Sequence, residues 1–129
     1  MINKNAGQRE YWIQSAARAR EMTLKLSRAG ITIGTGTDIW QVPIGVHMEL
    51  QQLVLAGLTP LEAIHAATGA AAQILGADKE LGTIEAGKRA DLVFLDADPL
   101  SDIRNTRRIW NVMRDGQLVD RVKLIPVAR

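Results

Sequence analysis

Three side chains in this sequence have the types and settings to do chemistry: Asp38, His47 and His65. Asp38 closes the run Ile31-Thr32-Ile33-Gly34-Thr35-Gly36-Thr37-Asp38, which opens on β-branched residues, loses its side chains at two glycines and ends on a carboxylate. β-Branched residues suit a pleated strand, and glycines there let the backbone turn sharply or approach another group closely. A carboxylate just past the C-terminal end of a strand is where open and closed α/β folds keep their chemistry. Turn formation competes with that reading, since Asp and Gly also close loops for local reasons. His47 stands two residues before Glu49 at the start of a helical pattern. It reads as a metal or substrate-side contact near Asp38, or as a helix-end histidine facing water. Positions i and i+2 do not share a helix face, so His47 and Glu49 point apart. His65, between Ile64 and Ala66, reads as a partly buried packing residue.

Other catalytic signatures are missing. The sequence has no His-Glu-x-x-His pair, no Walker loop and no Gly-x-Ser-x-Gly elbow, and the absence of cysteine excludes the zinc-deaminase pattern. Gly34-Thr35-Gly36 after a strand has the composition of a phosphate loop, but no GxGxxG follows and the next helix begins too late. Thiolate metal sites and disulfides are impossible without cysteine.

The elements that must position these residues follow from periodicity. Residues 8–29 read as a helix, with Trp12, Ala16, Ala19, Thr23 and Leu26 at three- and four-residue steps. Gly30 is its stop, and Ile31 to Thr35 is the following strand. Ile39 to Val46 reads as a loop, and His47 to Ala56 as a helix closed by Gly57. Thr59-Pro60-Leu61-Glu62 is a helix start with a capping box and a proline in the first turn. That helix runs to Thr68, which caps a second short helix ending near Leu75 and Gly76. From Leu81 the period becomes strand-like. Gly82 to Ile84, Leu92 to Leu95, Ile109 to Met113 and Gln117 to Val122 are expected strands, with Asp115-Gly116 as a hairpin turn. The fold class is therefore α/β (α+β), with an α/β part at 1–76 and a small β part at 77–129. Neither is large enough to bury a core alone, so the two should pack together.

Composition narrows the partners. The 129 residues are 47% hydrophobic and 23% charged, a globular mixture. Sixteen Lys and Arg against fourteen Asp and Glu leave +2, with the cations scattered among acids. One Tyr, one Phe and three Trp offer no basic and aromatic interleaving. Nucleic acid is not an expected partner. No run of about 18 apolar residues spans a membrane, and Met1 to Gly7 lacks the apolar core of a signal peptide, so the expected location is cytoplasmic.

Three stretches together resemble one family: the run ending Gly36-Thr37-Asp38, the helices of His47 to Gly76, and Leu81-Gly82-Thr83-Ile84-Glu85-Ala86-Gly87-Lys88-Arg89-Ala90-Asp91-Leu92-Val93. Asp96-Ala97-Asp98-Pro99-Leu100-Ser101-Asp102-Ile103 extends the match. The pattern is similar to the C-terminal part of the amidohydrolase superfamily, in its imidazolonepropionase-like and Xaa-Pro dipeptidase (prolidase)-like subgroup. The resemblance implies the last βα part of a (β/α)₈ TIM barrel at 1–76, with Ile31 to Thr35 as strand eight. It also implies that 77–129 supplies the C-terminal strands of a small composite β-sandwich. It implies a divalent metal, zinc, with Asp38 as ligand and proton acceptor, the one position carried over in that role, and hydrolysis of amide or cyclic amide C–N bonds; His47 is a candidate ligand only by its place near Asp38. The family's other ligands, a His-x-His pair, a bridging lysine or glutamate and later histidines, have no counterpart in this sequence. The isolated chain is therefore expected to be inactive and to bind no metal alone. The expected partners are a complementary chain or further copies of itself as a homo-oligomer. The alternative is a non-enzymatic, self-associating structural or binding domain.

Overall fold

Helix ends fall where particular residues require them. A computed structural model describes residues 4–38 and 44–120. Helix α1, Lys4–Arg28, stops at Gly30, whose φ of +82° lets the Ile31 amide turn back onto the Leu26 carbonyl at 3.1 Å. Helix α2, Gly45–Leu55, ends the same way at Gly57, with the Leu58 amide on the Leu53 carbonyl at 3.2 Å. Helix α3, Pro60–Ala67, opens with the expected capping box: Thr59 Oγ1 accepts from the Glu62 amide and Glu62 accepts from the Thr59 amide. Thr68 then leads into α4, Gly69–Ile74, without capping it by its side chain, because its hydroxyl donates back to the Ile64 carbonyl at 2.8 Å.

Three antiparallel strands follow: β1, Leu92–Leu95, β2, Ile109–Arg114, and β3, Gln117–Leu118, in the order β1-β2-β3. Leu92 faces Met113 and Phe94 faces Asn111, and a bulge then brings Leu95 opposite Ile109. Asp115 and Gly116 both take positive φ, as a tight two-residue hairpin turn demands. Between β1 and β2 lies a 3₁₀ turn, Ile103–Arg107, whose Ile103 enters the helical core.

That core joins Leu50, Leu53, Ala56, Leu58, Ala63, Ala66 and Ile103, with Leu24 and Ile33 packed at its edge. The expected docking of the β part on the helices thus occurs through Ile103. A second joint lies at Gly82, with φ +96°, where a Cβ would stand 2.5 Å from that of Ala72 and 3.1 Å from the Thr68 carbonyl oxygen. Only a residue without a side chain fits so close to α4.

Two expected strands are corrected. Ile31 to Thr35 forms no strand; residues 31–38 lie between α1 and α2 without regular structure. A strand exists through its ladder to a neighbour, and here the segment meets helices, the Thr35 amide donating to the Ala66 carbonyl at 3.3 Å. Gly82 to Ile84 likewise bends instead of pairing. The apolar stripe of α1 is not buried: Trp12 is 63% exposed and Leu26 41%. Residues 39–43 of the expected loop and 121–122 of the expected fourth strand lie outside the described residues.

Candidate functional site

Asp38 is placed by the segment that precedes it, and that segment is held by helices from one side. Gly34 lies against Ile74 of α4, so that a Cβ would stand 2.7 Å from the Ile74 Cδ1. Thr35 is tied to α3 by its amide, and Thr37 packs on the buried Gly45 at the start of α2. The Gly36 amide donates to Glu49 Oε1 of α2 at 3.0 Å. Asp38 itself is exposed, with a left-handed φ of +47° that Asp tolerates better than most residues.

His47 and Glu49 point apart on α2, as their spacing requires. Glu49 reaches back to Gly36, whereas His47 Nδ1 lies 3.1 Å from Thr106 Oγ1 in the 3₁₀ turn. His47 is half-buried there, not facing water as a plain helix-end histidine would. The Thr106 hydroxyl has one proton, and it is given to the Ile103 carbonyl at 2.8 Å. The His47 contact must therefore be an Nδ1–H donating to the hydroxyl oxygen, which leaves Nε2 as the lone-pair nitrogen of the neutral ring. Burial, and secondly the charge of Arg107, hold His47 below the ordinary imidazole pKa. His65 corrects the expectation of a partly buried residue: it is exposed, and its ring lies over Gly69.

Among the described residues, no three His, Asp or Glu side chains come close enough together to hold a metal ion. The carboxylate of Asp38 is the hard oxygen donor a divalent cation takes, but this donor set does not complete a site. Two participants escaped the sequence reading. Glu49 lies one turn after the buried Gly45 and one turn before the buried Leu53, so helical spacing puts an acid on a buried face. That is a legible signal. Thr106 is placed by the 3₁₀ turn and gives no comparable periodic signal.

The segment that ends on Asp38 thus rests against helices on one side, and a small antiparallel sheet follows them. The sequence model of the Amidohydrolase family matches residues 13–119, and the chain belongs to that family. It is similar to the ochratoxinase of Aspergillus niger, at 39% identity over 97 residues, covering 70% of this chain and 20% of that enzyme. The imidazolonepropionase of Rubrobacter xylanophilus is 37% identical over 79 residues, covering 56% of this chain and 18% of that protein. A solved Xaa-Pro dipeptidase with methionine in its active site superposes with a TM-score of 0.71 at 32% identity, covering 78% of this chain and 25% of that one. The chain thus spans about a fifth to a quarter of the relatives it matches. The expected fold class stands as a mixed helix and sheet portion of a TIM-barrel amidohydrolase. Amidohydrolases generally use divalent metal. No helix among the described residues is long and apolar enough to cross a membrane.

Proposed function

We propose that this chain is the quarter of an amidohydrolase that brings Asp38 to a metal site whose other ligands come from polypeptide outside these residues. By itself it is inactive. Completed, the site hydrolyses an amide or cyclic amide C–N bond. The observation that carries this reading is the collinear match over residues 13–119, which includes Asp38 and the helices that hold its segment. When bound, the divalent ion, zinc in the first instance, supplies a water of lowered pKa. The contribution of this chain is the Asp38 carboxylate, as a ligand and as the acceptor of a proton at its oxygen. His47 is a weaker candidate, since its Nδ1 is engaged by Thr106 and only Nε2 keeps a lone pair.

The test is a single-chain chimera in which these 129 residues replace the matching quarter of the Xaa-Pro dipeptidase. About one zinc per chain by elemental mass spectrometry, lost in Asp38→Asn, supports the reading. A folded chimera without metal overturns it. The 129-residue chain alone should hold no metal above background.

The exposed apolar side chains Tyr11, Trp12 and Ile13 on α1, and Val93, Trp110 and Leu118 on the sheet, favour a second reading. In it the chain is a domain that covers these surfaces with further copies of itself. A monomer at high concentration by light scattering would sink that version.

A further inference from the structure

Among the described residues, Glu49 is the side chain whose placement is least explained by folding alone. Its Oε1 accepts the Gly36 amide at 3.0 Å. Its Oε2 is sealed from solvent and has no hydrogen-bond partner among the described residues. Withdrawing a carboxylate oxygen from water without a donor is costly, and a helix built only for stability would carry an apolar residue on that face. Departures of this kind concentrate where position matters more than stability. What Glu49 holds is the backbone two residues ahead of Asp38. The other attachments of the segment are the Thr35 amide on Ala66 and the packing at Gly34 and Thr37. After Gly36 the backbone turns into the left-handed region at Asp38, and the Asp38 side chain is exposed. The direction of its carboxylate is therefore inherited from the peptide that Glu49 grips.

We infer that Glu49 is the positioning residue of the Asp38 segment, acting through the Gly36 amide and touching no reacting atom. The purpose assigned to this grip rests on the reading of Asp38 as a site carboxylate; the grip itself does not. A misplacement of about 1 Å at a reacting group can cost about a hundredfold in rate.

The test uses amide hydrogen exchange and backbone order by NMR on the 129-residue chain, comparing wild type, Glu49→Ala and Glu49→Gln. Glu49→Ala should speed exchange of the Gly36 amide about tenfold or more and lower the order of Thr37 and Asp38. Glu49→Gln keeps an acceptor oxygen and should recover most of the protection. In the chimera, Glu49→Ala should lower kcat about 10- to 100-fold with KM within about twofold, and Glu49→Gln should restore most of it. An unmoved Gly36 amide in Glu49→Ala overturns the proposal. So does a lost Gly36 amide with Asp38 order and kcat unchanged, which would make Glu49 an ordinary structural residue. Failure of the Asp38 reading shows instead as a chimera without metal, and it leaves the Gly36 and Asp38 amide signals to decide the grip.

Discussion

Helices α1 and α2 carry the same kind of apolar stripe and meet opposite fates. In α2, Leu50 and Leu53 are 5% and 7% exposed, closed in by Leu58, Ala63, Ala66 and Ile103. Among the described side chains of α1 only Leu24 reaches that core, while Tyr11, Trp12, Ile13 and Met22 face outward. Periodicity names the face of a helix that seeks burial; whether burial follows depends on a partner surface. The partners of α2 lie within the chain. Among the described residues, α1 has no such partner over most of its length, and its apolar side chains stay exposed.

The comparison can be broken at its strongest point first. Leu53→Ala should cost about 3 kcal/mol in urea unfolding, as for a buried leucine whose site cannot collapse. A loss below about 1 kcal/mol would mean that α2 is no better packed than α1. Gly82→Ala should cost about 2 kcal/mol, combining an unfavourable positive φ with overlap against Ala72 and the Thr68 carbonyl. Thr59→Ala removes one half of the α3 capping box and should cost about 1 kcal/mol by thermal melts.

Acid sharpens the same contrast at the junction of α1 and α3. The hydrogen bonds of the Arg28 guanidinium, then that of the Thr59 amide, hold the Glu62 carboxyl down to about 2. Because the folded value lies below the ordinary carboxyl value of 4.5, its contribution is present above pH 4.5 and lost as pH falls toward 2. The Tm should decline through that window, and Glu62→Gln should flatten the decline attributable to this pair. The smallest effect belongs to the open face: Trp12→Ala should change the stability of the monomeric chain by no more than about 0.5 kcal/mol. A larger loss would show that α1 buries its stripe after all.

What could be read from the sequence was whatever depends on neighbours in the chain. The capping box at Thr59 and Glu62, the glycine stops at Gly30, Gly57 and Gly76, and the Asp115-Gly116 turn are local rules obeyed locally. Strand β1 falls at Leu92–Leu95 as expected because its partner β2 is present. Ile31 to Thr35 has the composition of a strand and no ladder, since composition cannot supply the neighbouring strand. At the site, the sequence singles out Asp38 by its place after two glycines, and the structure sets it exposed at the end of that segment. The Glu49 grip was half legible, as an acid at the spacing of buried residues. The engagement of His47 by Thr106 was not, because it depends on how the 3₁₀ turn comes to rest on α2.

That engagement turns His47 into a native reporter. The imidazole can hold its proton on either nitrogen, and the choice is set by what each nitrogen meets. Here a hydroxyl whose own proton is committed elsewhere selects Nδ1–H, and the selection lasts only while α2 and the 3₁₀ turn stay seated. ¹⁵N spectra of this one ring would therefore read out, without a label or a ligand, the fraction of molecules in which the helices and the sheet are joined. Because burial and Arg107 hold the folded pKa below the ordinary imidazole value, the neutral ring and its signal persist to lower pH than in a free histidine and fade as acid charges the second nitrogen.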